Sequence, residues 1–301
     1  PTYGNIEGEQ GDWEFVITKL TEDSIFVKGK KWENEMVFTR MADGVDWTSY
    51  LDSIADVQKR LGVNYSVGNS SDASKMVEIN SATRRILSRT ADGQMVEQPF
   101  YVTPTGIHAV NEPVALGEDK AQDFLVSKAG VLTAKDNENL TLNSYAPGID
   151  TWVGNWTLSA MQGSCDMTIS KVEDQENMLK GTFTTGGYTY NIGLSYNPET
   201  GALNLPSQLI DDPSGRYPAL WLMNADLNKG TLLGKGGMNV VWHGVSQEGD
   251  FEDDGTLASE GYASDTFIAL ACTAKGEPIK ENNQYVFVIE WYYLSNLTPN
   301  K

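Results

Sequence analysis

The chain of 301 residues carries 41 acidic residues against 22 Lys and Arg, and its formal charge at pH 7 is −19. A surface this negative repels phosphate backbones and anionic lipid headgroups, which argues against nucleic-acid binding and against electrostatic binding to membranes. No run approaches the roughly 20 apolar residues that a membrane helix needs. We therefore expect a water-soluble chain, and its length predicts two domains.

The first forty residues alternate apolar and polar side chains in three short runs, DWEFVITKL, DSIFVKGKK and NEMVFTRM. In the first run Trp13, Phe15 and Ile17 would share one face of a strand, with polar residues on the other face. The pattern predicts a three-stranded antiparallel meander with one face towards a core. Because strand-like sequence begins so soon after Pro1, we expect this first domain to be truncated at its N-terminus.

The hydrophobic period changes to three and four residues after Asp46, which indicates an amphipathic helix. The apolar residues at this spacing are Trp47, Tyr50, Leu51, Ile54, Val57 and Leu61. Asp46 is placed to cap the N-terminus of the helix and Gly62 to end it. We expect the apolar stripe of this helix to cover the open face of the neighbouring sheet.

Residues 76–135 return to short strand patterns, so residues 1–148 predict an α+β domain. Polar residues accumulate between 136 and 150, and Pro147-Gly148 would interrupt a regular element, which places the domain boundary near 148. Residues 149–301 contain about nine strand patterns joined by short turns. This spacing favours an antiparallel β-barrel or sandwich. The predicted fold class is thus mainly β, with an N-terminal antiparallel sheet and covering helix before the barrel or sandwich.

Several motifs span most of the chain. They are D-x-E-F at 12–15, D-x-I-x-x-K-G-K-K at 23–31, the helix DWTSYLDSI, T-P-T-G-I at 103–107 and Y-N-x-x-T-G-x-L at 196–203. In these motifs the chain resembles a family of uncharacterised lipoproteins of gut Bacteroidetes, linked to outer-membrane loci of the starch-utilisation (Sus) type.

This resemblance implies an extracytoplasmic, outer-membrane lipoprotein that faces the cell surface or the periplasm. It implies SusC-like and SusD-like outer-membrane proteins as partners, and attachment to the membrane only through a lipid anchor outside this chain. It implies no established activity. Separately, Gly154 and Trp156 resemble the Gly-x-Trp opening of lipocalin-type barrels, which implies a tryptophan that plugs one barrel end.

Catalytic and metal-binding motifs based on imidazole or thiol pairs are missing from the sequence. His108 and His243 are the only histidines, and neither H-E-x-x-H nor C-x-x-C occurs. We therefore expect no enzymatic activity and no cofactor, apart from one candidate calcium loop. Its ligands would be Asp250, Glu252 and Asp254, although Gly261 stands where the bidentate Glu of such a loop is expected. The alternative is a solvated acidic hairpin tip.

The two cysteines, Cys165 and Cys272, both lie in strand patterns of the predicted second domain. An exported protein could bridge them as a disulfide, or both could be buried free thiols. The sequence does not decide between these alternatives.

Aromatic residues are the best candidates for a binding surface, although most aromatic side chains in such strands would be packed in the core. In EWYYL, alternation would send Trp291 and Tyr293 to one face and Tyr292 to the other, so that one of the two sets is exposed. The candidate ligand-binding residues are Trp221, Trp242, Trp291, Tyr292 and Tyr293, with Tyr188 and Tyr190 as further aromatic candidates.

The leading hypothesis is a non-catalytic surface or periplasmic lipoprotein that assists capture of a glycan or peptide nutrient in a Sus-like system. One alternative is a structural or adhesive subunit that contacts partner proteins through an exposed sheet edge. Another is a hydrolase that uses two carboxylates, such as Asp211 with Asp212 or Glu252 with Asp253.

Overall fold

The computed structural model divides into two compact units, residues 1–55 and residues 56–301. It describes residues 3–6, 13–22, 24–29, 35–39, 44, 46–70, 72–81, 83–90, 92–109, 122–226, 231–232, 237–253, 266–291 and 294–300. The predicted fold class is confirmed: the protein is mainly β, with antiparallel sheets and one α-helix in this part of the chain. None of the helices described there has the length and apolar character needed to cross a bilayer.

The first unit contains a four-stranded antiparallel sheet in the order β1-β2-β3-β4. Its strands are β1 (Tyr3–Ile6), β2 (Trp13–Leu20), β3 (Ser24–Gly29) and β4 (Glu35–Thr39). Strands β2 to β4 confirm the three predicted strands, and β1 adds a fourth that pairs with β2. A register shift between Ile17 and Lys19 interrupts the regular alternation of β2.

Helix α1 (Trp47–Arg60) begins where the sequence predicts. Asp46 Oδ1 accepts hydrogen bonds from the backbone N–H groups of Thr48 at 3.1 Å and Ser49 at 3.3 Å, which confirms the predicted cap. The side-chain hydrogen bond from Ser49, followed by these backbone bonds, lowers the pKa of Asp46.

The apolar stripe of α1 is used differently from the prediction. Val57 is fully buried, and together with Leu61 it packs in the apolar cluster of the barrel that follows. Leu51, on the predicted stripe, is 61% exposed. The C-terminal turn of the helix therefore packs on this barrel.

The second unit begins with a closed barrel of eight antiparallel strands, which we call the first barrel. They are β5 (Asn64–Val67), β6 (Met76–Asn80), β7 (Arg85–Arg89), β8 (Met95–Thr103), β9 (Gly106–Ala109), β10 (Gln122–Val126), β11 (Leu132–Ala134) and β12 (Asn137–Ser144). Neighbours in sequence pair with each other, and β12 pairs with β5 to close the barrel. A β-carbon on Gly106 would lie 1.8 Å from the carbonyl oxygen of Phe124, so this close approach of β9 to β10 requires glycine.

A second closed barrel, which we call the second barrel, also has eight antiparallel strands. They are β13 (Gly154–Ala160), β14 (Gly163–Lys171), β15 (Met178–Thr185), β16 (Tyr188–Tyr196), β17 (Leu203–Leu205), β21 (Met238–His243), β22 (Glu248–Asp253) and β27 (Asn296–Pro299). Strand β27 pairs with both β13 and β22 and so closes this barrel. The boundary predicted near 148 falls between the barrels, and their independent folding stays a prediction.

A smaller sheet is inserted between strands of the second barrel, in the order β18-β19-β23-β26 with β20 beside β19. Its strands are β18 (Gln208–Ile210), β19 (Ala219–Asp226), β20 (Thr231–Leu232), β23 (Thr266–Cys272) and β26 (Phe287–Trp291). A two-stranded hairpin, β24 (Lys280–Glu281) with β25 (Gln284–Tyr285), precedes β26. One face of the sheet contributes Leu222, Phe267 and Ile289 to the apolar cluster of the second barrel, so sheet and barrel share a core.

Three tryptophans fill part of that shared core. The ring of Trp152 lies 5.6 Å from that of Trp156 and 5.7 Å from that of Trp242, centroid to centroid. Trp156, which the sequence predicts to plug a barrel, is buried and donates its indole N–H to the carbonyl oxygen of Trp152 at 2.8 Å. A β-carbon on Gly249 would lie 2.9 Å from the Trp152 ring, so this packing requires glycine in β22.

Candidate functional site

Two adjoining clefts lie beside the hairpin turns of the second barrel, against strand β26. The larger, which we call the aromatic cleft, has a volume of about 340 Å³, and its lining includes Tyr188, Tyr190, Tyr217, Phe287 and Arg216. The smaller, which we call the side cleft, has a volume of about 200 Å³ and is lined in part by Trp291, Glu290 and Cys165. Thr185 and Val288 line both clefts. The larger volume is in the usual range for a small-molecule site.

A tight turn places Tyr188 at the edge of the aromatic cleft. Gly186 and Gly187 join β15 to β16, and their φ angles are 59° and 82°. A two-residue hairpin turn of type I′ needs positive φ at both positions, which glycine adopts without steric cost. Tyr188 follows immediately and is 46% exposed, so its ring is presented to solvent at the cleft.

The loop of residues 211–217 forms the opposite wall and is organised by Asp212. Its carboxylate accepts hydrogen bonds from the backbone N–H of Ser214 at 3.0 Å, the Ser214 hydroxyl at 2.8 Å and the backbone N–H of Tyr217 at 2.9 Å. Burial alone would raise the pKa of Asp212, but the hydrogen bonds from Ser214 and Tyr217 outweigh it and lower the pKa. An ionised carboxylate therefore holds this loop in shape.

Glu281, in the β24–β25 hairpin, fixes two of the three loop residues that line the cleft, Arg216 and Tyr217. It accepts a hydrogen bond from the Tyr217 hydroxyl at 2.8 Å and from Arg216 Nη2 at 3.0 Å. The hydrogen bond from Tyr217 contributes most to a lowered pKa of Glu281, burial opposes it, and Arg216 adds to the lowering. The Arg216 guanidinium also lies 4.9 Å from the centroid of the Tyr217 ring.

The inner wall of the clefts is a group of packed rings. Phe183 lies 5.3 Å from Tyr190 and 4.6 Å from Trp291, centroid to centroid. Tyr190 and Trp291 are buried, whereas Phe287 at the mouth is 43% exposed. Burial, with the neighbouring charge of Asp212, raises the pKa of Tyr190, which keeps its hydroxyl neutral. The clefts thus combine a rigid aromatic base with exposed aromatic faces at the rim.

Of the three predicted ligand-binding residues that the structure describes, Trp291 is the one that lines either of these two clefts. Trp221 packs on the opposite face of the inserted sheet and donates its indole N–H to Ser207 Oγ at 3.0 Å. Trp242 belongs to the tryptophan group of the barrel core. Tyr292 and Tyr293 lie outside the described residues.

The predicted calcium loop takes a different form. Asp250 and Glu252 lie within strand β22, and Asp254 lies outside the described residues. Asp250 Oδ2 is 3.1 Å from His243 Nε2, so its nearest opposite charge is a histidine. The described residues contain no group of three or more His, Cys, Asp or Glu placed to hold a metal ion. A calcium site at these residues stays a prediction without support from the described geometry.

Both cysteines are free thiols in this structure, so the bridged alternative is not realised. Cys165 is half-buried at the side cleft, while Cys272 is buried on the far face of the inserted sheet. Burial raises the pKa of both thiols, which disfavours the reactive thiolate form.

A second cluster of titratable groups joins the two barrels. His243 Nδ1 lies 2.6 Å from Glu78 Oε1, and the side chains are 12% and 5% exposed. Beside it Gly244 N–H donates to Asn64 Oδ1 at 2.7 Å, and Arg89 Nε donates to the carbonyl oxygen of Val245 at 2.8 Å. Since these bonds link residues of β5–β7 to the β21–β22 turn, the cluster is a structural contact between the barrels.

The pKa of His243 is set by its burial and by the acidic residues around it. Burial lowers its pKa, but the hydrogen bond with Glu78 and the negative charges of Glu78, Asp250 and Glu252 outweigh burial, and the pKa is raised. Burial, together with the charges of Glu248 and Glu78, raises the pKa of Asp250 against the opposing effect of His243. His243 Nε2 is near Asp250 but not in hydrogen-bonding geometry, and Glu78 Oε2 has no hydrogen-bond partner.

Sequence reasoning missed Arg216, Tyr217 and Phe287. Phe287 lies in the predicted strand YVFVIEWYYL, but nothing local shows that its ring faces a cleft. Arg216 and Tyr217 lie in a loop, where no periodicity indicates their direction. The run Asp212-Pro213-Ser214-Gly215 is a turn signal and was the available hint that this loop has a defined shape.

Residues 1–128 match the family model described as Domain of unknown function (DUF4302). This range contains the N-terminal sheet, α1 and the first barrel through β10, so both clefts lie outside it. No curated protein and no solved structure matches the chain.

Proposed function

We propose that this protein is a non-catalytic binding protein of the cell surface or periplasm, which holds a glycan nutrient at the aromatic cleft of the second barrel. The observation that carries the proposal is the exposure of Tyr188 and Phe287 at a preformed cleft that Tyr217 also lines. Exposed aromatic rings at a concave site are typical of ligand recognition.

A glycan suits this cleft better than a peptide because the exposed rings offer flat apolar faces. The face of an aromatic ring is electron-rich and attracts the weakly positive C–H groups of a sugar ring. Arg216 adds hydrogen-bond donors for hydroxyl or carboxylate groups. The walls are fixed by Asp212 and Glu281, so little side-chain ordering is needed on binding.

The absence of catalysis is part of the proposal and has two supports. Among the described residues lining the two clefts there is one carboxylate, Glu290, whereas glycoside hydrolysis by two carboxylates needs a pair. Both histidines are engaged elsewhere, His108 with Asp123 and His243 with Glu78. If any bound glycan were converted to product, that result would instead support the alternative of a carboxylate-based hydrolase.

We further place the protein, as part of this proposal, on the outer membrane through a lipid anchor, beside SusC-like and SusD-like proteins in a Bacteroidetes nutrient system. Its support is the resemblance carried by motifs such as D-x-I-x-x-K-G-K-K at 23–31. Cross-linking of the protein to a co-produced SusC/SusD-type pair tests the partnership. Failure to cross-link to either protein at high expression would favour a structural or adhesive role.

The binding proposal is tested by titration calorimetry against neutral and acidic oligosaccharides and short peptides, with product analysis of each mixture. We expect saturable glycan binding without turnover. Tyr188→Ala and Phe287→Ala should each weaken it about 5- to 10-fold, because each removes one stacking face. The matched control is Tyr101→Ala, which removes a tyrosine of 54% exposure from the first barrel. Equal effects of Tyr101→Ala and Tyr188→Ala, or no binding of any glycan, would refute the proposal.

A further inference from the structure

We infer that the aromatic cleft selects glycans that carry a carboxylate, and that Arg216 is the residue that recognises it. This inference rests on the proposed function and adds the chemical class of the ligand. Arg216 is the one charged side chain among the described residues that line the aromatic cleft. The other lining groups are aromatic, apolar or hydroxyl-bearing.

Arg216 is held in place while part of its guanidinium stays available. Its Nη2 lies 3.0 and 3.2 Å from the two carboxylate oxygens of Glu281. Its charge also lies over the Tyr217 ring. Within the described part of the chain, Nε and Nη1 of Arg216 make no hydrogen bond. A planar guanidinium anchored through one nitrogen can donate from its other nitrogens to a carboxylate, with little loss of side-chain entropy.

The balancing negative charges are not on the lining of the cleft. Glu281 and Asp212 hold the loop but are not among the residues that line the cleft, and neither is Lys280. Of the Arg216–Glu281 pair, only the positive partner is therefore among the residues that a ligand in the cleft would meet. Glu281 Oε1 accepts hydrogen bonds from both Tyr217 and Arg216.

The net charge of the whole chain bears on whether the cleft can prefer anionic glycans. At a formal charge of −19, the long-range field of the protein repels an anionic glycan. A preference for anionic over neutral glycans must then come from short-range contacts within the cleft. Arg216 is the group that supplies them, and its removal should abolish the preference.

The test compares two pairs of glycans that share the same sugar chain, with carboxyl groups that are ionised in one member and esterified in the other. They are trigalacturonic acid with its methyl ester, and a hyaluronan tetrasaccharide with its methyl ester, so that each ester lacks the negative charge and carries one added methyl group per carboxyl. We expect at least one acid to bind about tenfold or more tightly than its ester, since a charge-assisted hydrogen bond is lost on esterification. Arg216→Gln should reduce this ratio to about one, and Arg216→Lys should retain part of it.

The matched control is Arg85→Gln, which removes the same charge from a pair with Glu97 on the first barrel. It should leave the ratio unchanged, and the thermal midpoint of each variant should show that folding is intact. Equal binding of acid and ester, tighter binding of neutral glycans, or an unchanged ratio in Arg216→Gln would overturn the inference and leave the proposed function standing. Tighter binding of an acidic peptide, or no glycan binding at all, would refute both.

Discussion

The two histidines of this chain form pairs of equal length in opposite surroundings. His108 Nδ1 lies 2.6 Å from Asp123 Oδ1 on the outer surface of the first barrel, with side chains 25% and 46% exposed. His243 Nδ1 lies 2.6 Å from Glu78 Oε1 between the barrels, with side chains 12% and 5% exposed. Since water screens the first pair and hardly reaches the second, equal distances do not imply equal energies.

The partners of each pair lead to the same conclusion. His108 stacks on Tyr101 at 4.6 Å between ring centroids and lies opposite both Tyr101 and Asp123 in the sheet. These three side chains lie on neighbouring strands of the first barrel, so their contacts stabilise that barrel alone. The His243–Glu78 pair instead joins two barrels, and its loss would remove a contact that neither barrel makes by itself.

The largest effect is expected from Glu78→Ala. The change leaves His243 buried beside Asp250 without its hydrogen-bonded partner, and breaking a buried pair in this way costs about 3 to 5 kcal/mol of unfolding free energy. Urea unfolding followed by tryptophan fluorescence measures it, because Trp242 adjoins the cluster.

The control for this prediction is the double change Glu78→Met with His243→Leu. Replacing both partners by apolar groups removes the unpaired polar atoms, so the double variant should be more stable than Glu78→Ala alone. If the double variant unfolds at lower urea than Glu78→Ala, burial of an unpaired group is not the source of the loss.

A pH dependence of intermediate size is expected from His243. Its pKa is raised in the folded protein, so its contribution to stability is full below the unfolded value near 6.5 and is lost as pH rises through the folded pKa. The raised pKa of Asp250 acts in the same direction at lower pH, above its ordinary value of 3.8. Above pH 6.5, where the carboxylates with lowered pKa values stay ionised, urea midpoints should therefore fall with rising pH, and His243→Asn should flatten this fall. A wild-type midpoint that rises over that interval contradicts the assigned direction.

The smallest effect is expected from Asp123→Asn. The carboxylate is 46% exposed, and exposed ion pairs contribute about 0 to 1 kcal/mol. Thermal unfolding at two salt concentrations measures this loss, which should shrink further in high salt. A loss as large as that of Glu78→Ala would show that the distance, and not the burial, sets the energy of these pairs.

Much of the secondary structure was predictable because its causes are local. Asp46 caps α1 as predicted, since the cap depends only on residues within one turn. Strands β2 to β4 and most strands of the second barrel follow the alternation of their sequences. Strand β22 was missed because its acidic residues resemble a solvated turn, although Gly249 and Phe251 face the core.

The candidate site was predictable only in part. Tyr188, Tyr190 and Trp291 were candidates from the sequence, but Trp221 and Trp242 proved to be packed side chains. The difference arises because the same strand pattern places an aromatic ring at a cleft or in a core, depending on what covers that face.

The mainly β class, the cap of α1 and the strands with regular alternation can be predicted from the sequence, because these features depend on neighbours a few residues apart. Only the tertiary structure decided that β5–β12 close into a barrel, through the pairing of β12 with β5. It also decided that the 211–217 loop meets the β24–β25 hairpin and that His243 meets Glu78, 165 residues earlier in the chain. Such contacts depend on which faces of the strands pack together. Alternation in the sequence predicts which side chains share a face, but it does not predict which other element that face contacts.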